Sequence, residues 1–117
     1  MSRPHIKKKV RDAVINRFGG ACGYCGHHSP KLQVDHVVAY EHGGPNEESN
    51  LMPACFSCNS LKMTHPLEFF REEILSQIER ARRYSVNFRT AERFGFIEVK
   101  RPLKFRFYFE QTNPQGG

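Results

Sequence analysis

The sequence predicts an α+β fold in which two short strands and their flanking helices are stapled together through four cysteines. Three observations predict it. Cys22 and Cys25 form one C-x2-C pair, and Cys55 and Cys58 form another. Two short runs of β-formers, "QVDHVVAY" at 33–40 and "LMPA" at 51–54, lie between those pairs. Apolar residues recur at helical spacing before and after them.

The elements follow in order. Over residues 5–18, Ile6, Val10, Val14 and Phe18 repeat every four residues, and Gly19-Gly20 ends the run. Lys7, Lys8 and Arg11 then face away from the core. "CGYCG" at 22–26 is a tight turn, with glycines where backbone N–H groups must approach sulfur. The strand 33–40 has a fault in it, because Asp35 and His36 sit side by side among valines. Neighbours on a strand point to opposite faces, so two polar groups intrude on both faces at once. "EHGGPNEESN" at 41–50 is turn and loop throughout. A second helix is expected over 66–84, where Leu67, Phe70, Ile74, Ile78 and Ala81 form a stripe. "FGFIEV" at 94–99 and "LKFRFYF" at 103–109 read as two further strands, and 111–117 as a disordered tail.

At 117 residues the chain is expected to form one domain, 1–117, with a core over about 20–65, an N-terminal basic helix and a C-terminal helix-and-strand extension over 66–110. The apolar share is 38% and no run is long enough to cross a bilayer, so no membrane partner is expected. No apolar stretch follows the charges of "MSRPHIKKKVRD". A cytoplasmic protein is therefore expected, and in that setting four cysteines suggest metal ligation over disulfides.

Each two-residue spacing lets both sulfurs of a pair reach one ion, and tetrahedral Zn2+ is the expected occupant of Cys22, Cys25, Cys55 and Cys58. His27 and His28 are competing ligands by type, but four sulfurs already fill a structural site. The 29 residues between the pairs exceed the usual gap, so a folded insert is looped out between the two halves.

Charge is uneven around a net +6. Residues 1–20 carry six basic side chains against Asp12, and residues 80–106 carry nine against Glu92 and Glu98. The stretch 21–65 is slightly acidic. Two basic flanks around such a centre fit a polyanion. Lys7, Lys8, Lys9, Arg11, His42, Arg82 and Arg83 are the candidate DNA contacts.

Asp35-His36, Asn50 and Asn59 stand between and just after the cysteine pairs, in "VDHVVAYEHGGPNEESNLMPACFSCNSLK". This ordered set resembles the HNH endonuclease family in its small cysteine-bearing form, over roughly residues 10–65. The resemblance implies a ββα-metal (His-Me finger) core: two antiparallel strands, a loop between them and a closing helix. It implies that His36 is the general base that deprotonates the attacking water, and that Asp35 and Asn59 are ligands of a catalytic ion. It further implies that Asn50 holds the loop behind His36 and that Lys62 contacts the phosphate, as a catalytic and DNA-binding residue.

The chemistry agrees. Phosphodiester hydrolysis needs an activated water and a Lewis acid on the phosphate, and histidine can take up a proton near neutral pH. One carboxylate and one amide oxygen make a hard, sparse site suited to Mg2+ or Mn2+. Asp35 is the one carboxylate of the motif, so one catalytic ion is expected. The expected function is thus a metal-dependent endonuclease acting on double-stranded DNA, nicking it as a monomer. A homodimeric restriction or packaging nuclease is the nearest alternative, and a non-catalytic zinc-ribbon nucleic-acid-binding module is the alternative of another class.

Overall fold

The computed structural model describes residues 5–100, 102 and 104–112. The chain clusters into two compact units, one taking in the chain up to Leu67 and from Arg106 on, the other Glu68–Phe105.

The first unit is built on a two-stranded antiparallel sheet, β1 (Gln33–His36) with β2 (Leu51–Ala54). The register pairs Asp35 with Met52 and His36 with Leu51. All four residues of β2 are buried, so it reads as a continuous apolar run rather than an alternating one. Helix α1 (Lys8–Ile15) packs on this sheet through Val14, which is fully buried. It is shorter than the span 5–18 because Asn16, with φ −90° and ψ 0°, ends it before the glycines. Arg17 then donates to the carbonyls of Leu51 (2.8 Å) and Glu48 (3.0 Å), tying the end of α1 to the start of β2. Helix α2 (Phe56–Lys62) closes over the sheet, and the Cys55 sulfur caps it by accepting from Cys58 N.

The expected strand 33–40 stops at His36, and the chain turns into a 3-10 turn at Tyr40–His42. Gly44 makes this turn possible. A Cβ there would lie 1.8 Å from the Val38 carbonyl oxygen, so only glycine lets the loop come that close.

In the second unit, the helix expected over 66–84 is two helices, α3 (Leu67–Leu75) and α4 (Gln77–Tyr84). Ser76 divides them, bonding back to the Glu73 carbonyl at 2.8 Å. A further helix, α5 (Val86–Arg93), begins where strand was expected, and the Ser85 hydroxyl caps it by accepting from Phe88 N (3.0 Å).

Neither C-terminal strand forms among the described residues. "FGFIEV" fails because Gly95 takes φ +75° and closes α5. Phe96 N bonds Ala91 O and Gly95 N bonds Glu92 O, the paired bonds of a Schellman motif. "LKFRFYF" fails because its second half starts helix α6 (Tyr108–Thr112). Glu110 reaches back to accept from Phe107 N at 2.7 Å, half of a capping box. Gln111 and Thr112 of the expected tail therefore lie in α6, and 113–117 lie outside the described residues.

The segment from 106 on belongs to the first unit. Tyr108 N donates to Tyr24 O and Phe109 N to Gly23 O. Phe107 is 2% exposed and meets the Tyr24 ring edge-on. Phe107 and Phe109 thus pack on the first cysteine turn instead of forming a sheet.

Candidate active site beside a cysteine metal centre

The two C-x2-C turns meet. The sulfurs of Cys22, Cys25, Cys55 and Cys58 all lie within 4.8 Å of one another. Cys25 and Cys55 stand 3.8 Å apart, close to the edge of a tetrahedron with metal–sulfur bonds of ~2.3 Å. Amide groups approach the sulfurs, but they are those of Tyr24, His27 and Cys58 rather than of the glycines. The hydrogen bond from Cys58 draws the Cys22 thiol down to about 4. The same bond to Cys22, with burial, pushes Cys58 up, and burial raises Cys25. Four sulfurs, one already holding negative charge, fit a thiophilic ion. His27 and His28 are exposed and outside the cluster.

Asp35 and His36 are 5% and 3% exposed, deep for two polar residues. On the Asp35 side, Oδ2 accepts from the Tyr24 hydroxyl at 2.7 Å and faces Lys62 Nζ at 3.0 Å. Burial, with the Asp35 charge beside it, holds the Tyr24 phenol well above its ordinary range, so it stays a donor. Lys62 also donates to the His36 carbonyl at 3.0 Å. Its side chain is fully buried. Lys62 is here an internal cation that spans Asp35 and the backbone of His36.

On the other side, the His36 ring lies 2.9 Å from Asn46 Oδ1 through Nε2. An amide oxygen only accepts, so Nε2 is the donor in this bond, and in the neutral ring Nδ1 is the nitrogen with the lone pair. That Nδ1 is buried and has no hydrogen-bond partner. Asn46 went unmarked in the sequence because its turn-rich surroundings explain it without a partner.

Asn50 clamps the loop. Its Oδ1 accepts from Val38 N (2.9 Å), and its Nδ2 donates to the carbonyls of Val38 (3.0 Å) and Pro45 (2.9 Å). Asn59, on α2, donates through Nδ2 to Gln33 Oε1 at 2.7 Å, a bond that does not use its own Oδ1.

The candidate DNA contacts differ in availability. Lys7, Lys9, Arg11 and His42 are exposed. Lys8 pairs with Asp12 at 2.6 Å. Arg82 is engaged by Glu92 through two bonds, at 2.5 and 2.9 Å, so its charge is largely spent inside the fold. Arg83 is exposed, its guanidinium 5.9 Å from the Tyr84 ring centre.

Residues 22–64 match the HNH endonuclease family. That matched segment is a little over a third of the chain. It spans both cysteine pairs, Asp35-His36, Asn50, Asn59 and Lys62, and the ββα arrangement is the one expected of it. No curated protein matches the chain. Among solved structures, the type II-C Cas9 enzyme from Actinomyces naeslundii is similar over 79% of this chain, at 23% identity and a TM-score of 0.50. This chain spans 11% of that one, and at such identity the likeness is one of fold. Among the described residues no helix is long and apolar enough to cross a membrane.

Proposed function

We propose that the HNH segment is a metal-dependent DNA endonuclease in which His36 activates water, Asp35 and Asn59 hold Mg2+ or Mn2+, and the four cysteines hold a structural zinc. The observation that carries this reading is the His36 ring. A buried imidazole nitrogen without a partner is a cost that a purely structural histidine would avoid. With Nε2 fixed by Asn46, the lone pair of Nδ1 is aimed and ready to accept a proton.

The ion's donor set is one carboxylate and one amide oxygen, both hard, which suits Mg2+ or Mn2+ with water and phosphate completing the shell. When bound, the ion supplies Lewis acidity at the phosphate and relief for the leaving oxygen. The chain does the rest. Nδ1 of His36 takes a proton from water, the water oxygen bonds to phosphorus, and the bond from phosphorus to the leaving sugar oxygen breaks. Asn50 keeps the loop from drifting away from His36, and Lys62 fixes the backbone of His36 from beneath. One such centre cuts one strand at a time, so a monomer nicks duplex DNA. Lys7, Lys9, Arg11 and His42 are the surface side chains offered to the backbone of that duplex.

The test is supercoiled plasmid incubated with Mn2+ or Mg2+. Wild type should give nicked circles, and His36→Ala and Asp35→Ala should each slow nicking by about 100-fold or more. Equal nicking by all three proteins would end the assignment. A plasmid left intact yet bound, with steep salt dependence, would point instead to a non-catalytic nucleic-acid-binding module.

A further inference from the structure

We propose that Tyr24 is a positioning residue for the divalent-ion site, carrying the order of the cysteine centre into the carboxylate of Asp35. The proposal rests on the nuclease reading above, in which Asp35 is an ion ligand.

Tyr24 lies inside the first C-x2-C pair, so its backbone is fixed by the turn that presents two of the sulfurs. Its amide donates to Cys22 Sγ at 3.4 Å. Its ring is 2% exposed and is held edge-on by Phe107 (centroids 5.6 Å apart) and Phe109 (6.1 Å). Its carbonyl accepts from Tyr108 N at 3.0 Å. A ring so confined delivers its hydroxyl to one place, and that place is Asp35 Oδ2 at 2.7 Å.

The second donor on the same oxygen is Lys62 Nζ at 3.0 Å. The terminal torsion of an aspartate is a broad, soft rotor. Two donors converging on Oδ2 fix it and leave Oδ1 as the oxygen turned to an ion. An ion that meets an already oriented carboxylate loses less on binding, which is why hydrogen bonds behind metal ligands affect affinity by about 10–100-fold. A tyrosine that merely satisfied a buried carboxylate would affect stability and leave ion affinity alone. The two roles therefore separate in measurement.

The experiment uses the full chain with zinc bound. Mn2+ binding is followed by the electron paramagnetic resonance signal of the free ion for wild type, Tyr24→Phe and Asp35→Asn, with zinc content and circular dichroism measured on each. Tyr24→Phe keeps the ring and its aromatic contacts and removes only the hydroxyl. The expected result is Mn2+ binding weakened by about 10-fold, unchanged zinc, and nicking restored at high Mn2+. Wild-type Mn2+ affinity in Tyr24→Phe, with affinity lost in Asp35→Asn, overturns the role of Tyr24 and leaves the nuclease reading standing. Wild-type affinity in both variants removes Asp35 as a ligand and overturns both. If Tyr24→Phe sheds zinc, 3-fluorotyrosine in the otherwise unaltered protein replaces it. The Tyr24 fluorine resonance, assigned by Tyr40→Phe, Tyr84→Phe and Tyr108→Phe, should shift on saturation with Mg2+. A resonance that stays in place overturns the proposal.

Discussion

The cysteine-stapled sheet and the helical stretch Glu68–Phe105 draw their order from opposite sources. Around the sheet, strands of four residues are too short to stand alone, and the deepest side chains include Asp35, His36, Asn50 and Lys62. Each is held by partners distant in sequence, such as the 2.7 Å bond from Tyr24 to Asp35. In the helical stretch most of the stabilising devices are local, although Arg71 donates to the Phe105 carbonyl at 3.3 Å. Ser85 caps α5, a Schellman turn ends it, and Arg80 pairs with Glu73 at 2.7 Å. Phe70 is buried there, but other large apolar side chains stay in water: Tyr84 is 77% exposed, Phe94 68% and Phe96 78%. The contrast teaches where dependence on a metal must lie. Long-range polar contacts need a staple; helices held by caps do not.

Removing the zinc proposed for the cysteines is the largest break available. Structural zinc is worth about 10–16 kcal/mol in small zinc-dependent folds, enough to decide whether the sheet exists. Chelation should therefore abolish the near-ultraviolet signal of the buried Tyr24 cluster while much of the far-ultraviolet helix signal persists. Parallel loss of both signals would erase the distinction between the two regions. The pH dependence has a definite sign. Cys22 gives up its proton easily, drawn down to about 4 by Cys58, but Cys25 and Cys58 are raised and still hold theirs. Zinc must displace those protons, so its affinity rises with pH, and calorimetry in buffers of different ionisation enthalpy should register proton release.

The next break is Lys62→Met, which leaves the volume and removes the charge. Lys62 and Asp35 have side-chain exposures of 0% and 7%, so the carboxylate would remain buried without its cation. Losing one partner of such a pair costs about 3–5 kcal/mol. Denaturant unfolding should show that loss in the sheet, with the helices of Glu68–Phe105 unaffected. A change below about 0.5 kcal/mol, as for an exposed pair, would mean that the cation is dispensable.

What the sequence disclosed follows the same division. The cysteines, Asp35-His36, Asn50 and Asn59 stand out in the sequence because few residue types at fixed spacing suit the proposed chemistry. β1 and β2 were legible because they lie between the knuckles in a short apolar context. Tyr24 and Asn46 were not, since their roles come from contacts across the fold and either residue suits a turn. Lys62 reads in the sequence as a phosphate contact, and its burial is invisible there because a basic residue says nothing about its own burial. Beyond residue 84, β-forming composition outweighed the capping signals. Ser85 ahead of Val86 and Gly95 after Arg93 mark a helix at both ends, and Phe105, Phe107 and Phe109 alternate without belonging to a strand.

The smallest expected effect comes from one substitution made in both regions. Gly44→Ala puts a Cβ 1.8 Å from the Val38 carbonyl and 2.9 Å from Asn50 Nδ2. Backbone cannot yield there without loosening the clamp on the loop behind His36. The cost should be about 2–3 kcal/mol, with nicking reduced by about 10-fold or more. Gly95→Ala meets open space, and its only penalty is a φ of +75° at the end of α5. That is the ordinary expense of a left-handed alanine, about 1 kcal/mol, and nicking should be unchanged. Unfolding curves and plasmid rates on the two variants give the comparison directly. Equal losses of activity would show that the loop is no more exacting than a helix end.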